Sequence, residues 1–78
     1  MSSVSDFHIW GRIEVDGASF VAITSAVPTC AADTGRTLVF RDVAHSRAEA
    51  VDLLRKRSIE LGRQLRDSGD HVLDVQIE

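Results

Sequence analysis

The sequence predicts an α+β domain with the element order β-β-β-α-β. It is an antiparallel meander of three strands, one long helix across one face of the sheet, and a last strand that returns parallel to a neighbour. Three observations carry this expectation. From Phe7 to Val15, and again from Leu73 to Ile77, apolar and polar residues alternate with the period of a half-buried strand. Val51, Leu54, Ser58, Leu61 and Leu65 recur at spacings of three and four, which marks one face of a helix. Between two strand-like runs stands Asp16-Gly17, a pair suited to a hairpin turn.

A chain of 78 residues makes one domain, expected over residues 6–78. The small polar residues Met1 to Ser5 are expected to fray as a disordered N-terminus. The first strand places Phe7, Ile9, Gly11, Ile13 and Val15 on one face and His8, Trp10, Arg12 and Glu14 on the other. The run Ala18 to Val27, rich in β-branched residues, completes a hairpin with it across a two-residue Asp16-Gly17 turn of type I′. Pro28 ends that strand by removing a ladder donor. Residues from Pro28 to Gly35 lack a steady period and form a loop that is long for a hairpin connection, with a short turn at Ala31-Ala32.

Arg36 to Val43 reads as the third strand, anchored by Leu38 and Phe40. Ser46-Arg47-Ala48-Glu49 has the S-x-x-E form of a capping box, so a helix should run from about Arg47 to Asp67 and end at Gly69 in the left-handed conformation. Leu53 falls nearly opposite the apolar stripe and is expected to be exposed. His71 to Glu78 is the fourth strand, with Leu73, Val75 and Ile77 on its apolar face. Because the first strand is the longest and most regularly patterned, it should be central, giving the sheet order 3-2-1-4 over the alternative 1-2-3-4. The expected core is Phe7, Ile9, Ile13, Val15, Leu73, Val75 and Ile77 against Val51, Leu54, Leu61 and Leu65, with Gly11 letting the helix approach closely.

Composition narrows the function classes. The net charge is −3, with nine basic and twelve acidic residues, which does not advertise a nucleic-acid binder. No run of about 18 apolar residues and no signal peptide is visible, and Cys30 is the sole cysteine, so a reducing cytoplasm is the expected compartment and no membrane the expected partner. The three histidines, His8, His45 and His71, stand at no metal-ligand spacing and are expected to be structural or solvated. Thr29 and Ala31 give Cys30 neither a base nor a positive field, so it is expected to be a small buried hydrophobe and not a nucleophile. Phosphate-loop patterns are missing. No metal, no cofactor and no enzyme activity are expected.

Two surfaces remain. The helix flank of Arg55, Lys56, Arg63 and Arg66 is interspersed with Asp52, Glu60 and Asp67 and is expected to be a solvated mixed-charge face. The open sheet face carries His8, Trp10 and Arg12, joined by Arg41 of the third strand, and these four are the candidate partner-binding residues. Tryptophan and arginine are typical anchors of protein interfaces. The alternative is single-stranded RNA, whose bases stack on aromatics beside arginines. Both edge strands should be unprotected, and edges invite pairing, so a homodimer through an edge or the open face is within reach.

The hairpin with Phe20-Val21-Ala22, the following Val27-Pro28-Thr29-Cys30, and Ser46-Arg47-Ala48-Glu49-Ala50 with its amphipathic helix resemble a HicB-type antitoxin domain over roughly Arg12 to Glu78. Thr29 stands where that family carries glycine. The resemblance implies a partial ribonuclease-H-like fold of three strands, a helix and a further strand. It also implies a non-catalytic protein that binds a small partner protein; with no DNA-binding segment following the domain, transcriptional repression is not expected. The sequence therefore points to a small protein-interaction module, antitoxin-like, that binds a partner by the sheet face or edge.

Overall fold

The computed structural model describes residues 5–30 and 35–77. Its elements follow the predicted order: β1 (Asp6–Asp16), β2 (Ser19–Pro28), β3 (Leu38–Ala44), α1 (Arg47–Asp67) and β4 (His71–Ile77). The sheet order is β3-β2-β1-β4, with β1 parallel to β4 and the other pairs antiparallel, as expected from the length and patterning of β1. The first four residues and Glu78 lie outside the described residues, as does the turn expected at Ala31-Ala32.

The hairpin turn sits one residue later than its sequence signal. Asp16 pairs with Ser19, so the two turn residues are Gly17 and Ala18. Gly17 has a φ of +61° and Ala18 is not positive, the pattern of a II′ turn, which needs glycine at its first central position only. Ser5, expected among the fraying residues, is buried. Its N–H donates to Asp70 Oδ1 at 3.2 Å, and Arg36 Nη1 donates to its hydroxyl at 2.9 Å.

Both helix ends are capped. Glu49 N donates to Ser46 Oγ at 3.1 Å. The Glu49 carboxylate accepts from the N–H of His45, one residue before the cap, where a standard capping box would use the cap residue itself. At the other end Gly69 has a φ of +87°, Gly69 N donates to Arg66 O and Asp70 N to Leu65 O, which together form a Schellman motif.

The helix packs on β1 and β2. Phe7, Ile9, Ala26, Leu61 and Leu65 form one half of the core, and Ala22, Ala44, Ala50 and Leu54 the other. A Cβ on Gly11 would meet Leu54 Cδ2 at 3.2 Å, so the missing side chain sets the close approach foreseen for it. Leu53 is not exposed as expected; it leans onto the alanine-lined half of the core, where small neighbours leave room for a side chain off the stripe's centre. Val15, assigned to the core, is exposed because it lies at the far end of the hairpin.

β4 departs most from expectation. Phe7 pairs with Val72 but His8 pairs with Asp74, so Leu73 is an extra residue in a β-bulge. The bulge puts Val72 on the helix side and leaves Leu73 out of the core. Beyond it Val75 and Ile77 return to the helix side opposite Ile9 and Gly11, yet both are exposed and outside the core, along a groove beside α1.

Candidate functional site

The face of the sheet away from α1 is uncovered. Residues directly opposite each other in the ladders share a face, and this rule maps the face row by row. Val43, Val21 and Glu14 form one row; Arg41, Ile23 and Arg12 the next; Val39, Ser25, Trp10 and Gln76 the third; Val27, His8 and Asp74 the fourth. All four candidate residues, His8, Trp10, Arg12 and Arg41, therefore lie on one surface, and they come from β1 and β3.

The surface is more apolar than β1 alone suggested. Trp10 is 54% exposed, Val39 55% and Val43 65%, with Val27 beside them. Ile23 points to the same side but is only 4% exposed. It stands between Arg12 and Arg41, whose aliphatic stems can shield it while their charged heads stay in water. Trp10, Arg12, Ile23, Ser25, Val27 and Gln76 line a shallow depression at the centre of this face. The apolar share of β2 and β3 was hard to assign from sequence because both strands carry apolar residues on both sides.

Charges at the margin are mostly paired. Arg12 Nη2 lies 3.0 Å from Glu14 Oε1, two residues along the same strand face. His8 Nδ1 lies 2.5 Å from Asp74 Oδ1. The hydrogen bond to His8 holds the Asp74 carboxyl below the usual carboxylate range, outweighing its partial desolvation, and a second bond from Gln76 acts in the same direction. Arg41 is exposed and makes no ion pair among the described residues.

The other candidates fall elsewhere. Cys30 is exposed and not buried; it lies past the last β1–β2 pair, Phe7 with Pro28, beyond the part of the sheet that α1 covers. His45 is exposed beside the helix cap, and His71 Nδ1 lies 3.5 Å from Asp6 Oδ1 at the start of the β1–β4 ladder. His45 lies outside the four rows of the open face, whereas His71, paired with Asp6 two residues before His8, sits at that face's margin. A second polar cluster, unforeseen from sequence, closes one end of the domain. Arg36 donates to both carboxylate oxygens of the buried Asp70 and lies with its guanidinium 5.1 Å from the Phe7 ring centroid. It joins residues far apart in sequence, so no local pattern announces it. No helix is long and apolar enough to cross a membrane among the described residues.

No protein-family model, curated protein or solved structure matches this chain.

Proposed function

We propose that this chain is a small non-catalytic interaction module that docks a partner protein on its open sheet face. The observation that carries this reading is the grouping of exposed Trp10, Val27, Val39 and Val43 on one continuous surface, with Arg12 and Arg41 within it. Contiguous exposed apolar area of this kind is characteristic of protein-binding surfaces. A tryptophan beside arginines supplies the large desolvated contacts that dominate such interfaces. The β-β-β-α-β order is also the one the HicB-type resemblance implies, which supports a small protein as the partner class.

Single-stranded RNA fits this surface less well. Base stacking needs aromatic platforms, and the three phenylalanines accompany the helix side: Phe7 is buried in the core, with Phe20 and Phe40 packed against it. Trp10 is the single large aromatic among the described residues of the open face, its other exposed apolar residues, Val27, Val39 and Val43, are aliphatic, and Arg12 is already engaged by Glu14.

The test is affinity capture from the source cytosol with the wild-type chain and with Trp10→Ala, each with and without nuclease. The module reading expects a stoichiometric protein that survives nuclease and is lost with Trp10→Ala. Capture that disappears on nuclease treatment would transfer the site to nucleic acid.

A further inference from the structure

We propose that the groove between α1 and β4 is a second binding site, which takes an extended acidic peptide segment as an added strand on β4. This goes beyond the open-face reading and does not depend on it. Among the described residues β4 is an edge strand whose only ladder partner is β1, so its outer side offers backbone groups for pairing with an incoming strand. The bulge at Leu73 interrupts the ladder at the start of β4, but Asp74 to Ile77 pair regularly with His8 to Gly11. That regular stretch is the template for strand addition, a mode in which backbone hydrogen bonds give affinity and pockets for alternate side chains give specificity.

The pockets are present. Ile59 of α1, 72% exposed, faces Val72, Val75 and Ile77 across a groove. An added strand would drop every second side chain into this apolar trough. Ser58 lines the same groove, and its hydroxyl is buried without a hydrogen-bond partner. A buried hydroxyl left unpaired is costly, and a polar group on an inserted ligand would relieve it.

Charge decides the occupant. Arg55 and Arg66 line the groove, and among the described residues no acidic one does. Neither arginine has an ion-pair partner among the described residues. They stand eleven residues apart on α1, about 16 Å along the axis, towards opposite ends of the groove. A second copy of this chain pairing β4 to β4 about a two-fold axis would bring Arg55 of one copy towards Arg66 of the other. Like charges would then face each other, which is unfavourable. A segment whose groove-facing side chains, every second residue, are apolar in the middle and acidic at the two ends meets both the trough and the two cations.

The experiment pans random ten-residue peptides displayed on phage against the wild-type chain, Val75→Arg, the doubly substituted Arg55→Glu/Arg66→Glu, and Trp10→Ala. Folding of each variant is checked by circular dichroism. The expected result is enrichment of peptides that carry, at every second position, apolar residues flanked by acidic ones. Binding of these peptides should fall at least tenfold with Val75→Arg, remain with Trp10→Ala, and switch to a preference for basic residues with Arg55→Glu/Arg66→Glu. The exposed arginine pair keeps the test valid should Val75→Arg fail to fold. Three results would overturn the proposal: no enrichment over an empty matrix, enrichment without an acidic bias, or a wild-type homodimer in sedimentation equilibrium that Val75→Arg dissociates. Loss of peptide binding in Trp10→Ala alone would assign the peptides to the open face instead.

Discussion

Arg36 grips Asp70 with two hydrogen bonds, of 2.6 and 3.2 Å, and so ties the approach to β3 to the turn that delivers β4. The two residues are 34 positions apart. Arg36 also holds Ser5, whose N–H donates to the same carboxylate. One buried acid thus fastens the start of β1, the start of β3 and the start of β4 at a single end of the sheet.

The first prediction concerns acid stability. The Arg36 hydrogen bond holds the Asp70 carboxyl below its usual range, helped by the Ser5 N–H and opposed by desolvation. A carboxylate with a depressed folded-state pKa contributes stability that is fully present above its unfolded value, about 3.9, and is lost as pH falls through the folded one. Asp74, held low chiefly by its hydrogen bond from His8, acts with the same sign. Melting temperature should therefore be flat near neutral pH, begin to fall near about pH 4 and keep falling below it. Asp70→Asn should lower the melting temperature at pH 7 and flatten the acid limb. An unchanged acid limb would show that Asp70 does not fasten this end of the sheet.

A second prediction tests the close approach of α1 to β1. Gly11→Val places two methyl groups where even a Cβ meets Leu54 Cδ2 at 3.2 Å. Overpacking of this kind costs about 1–3 kcal/mol. Leu54→Ala alone should cost about 2–5 kcal/mol, because Leu54 is fully buried. Urea titration of both single variants and the double variant should show the double losing less than the sum, since valine fills space that leucine vacates. Additive losses would mean that the two positions do not compete for one volume.

The bulge gives a third prediction. Deleting Leu73 removes the extra residue and leaves Asp74, Val75, Gln76 and Ile77 on their present faces. Deleting Val75 would instead put Gln76 opposite Ile9 on the helix side. Thermal melts should find the Leu73 deletion folded and the Val75 deletion strongly destabilised. Equal losses would contradict the assigned register.

Helix capping supplies the fourth. Ser46→Ala removes the acceptor for Glu49 N and should cost about 1 kcal/mol. Gly69→Ala forces a side chain into a φ of +87° and should cost a similar amount, roughly 1 kcal/mol. Urea midpoints should shift down with unchanged slope for both.

These features divide by how far apart their determinants lie. The strand order and helix limits were legible because period, turn and cap signals are local: Ser46 and Glu49 announce the helix start, and β1 carries a clean alternation. The Leu73 bulge was not, since alternation of Leu73, Val75 and Ile77 reads as a regular strand until its register against Phe7 and His8 is known. Core membership of Ala22, Ala26 and Ala44 was also hidden, because small residues announce a close helix only once the helix is placed. His8, Trp10 and Arg12 could be put on one face from β1 alone, whereas Val27, Val39 and Val43 joined them only through cross-strand pairing.

The central claim is that a partner protein covers the open sheet face around Trp10. Trp10 is the single tryptophan of the chain, so labelling with 5-fluorotryptophan gives one ¹⁹F resonance from the middle of that face. The most direct measurement titrates the unlabelled captured partner into the labelled chain and follows this resonance by NMR, with binding scored independently by sedimentation. The account predicts that the resonance shifts or broadens in step with complex formation. A complex that forms while the Trp10 resonance stays unchanged would contradict it.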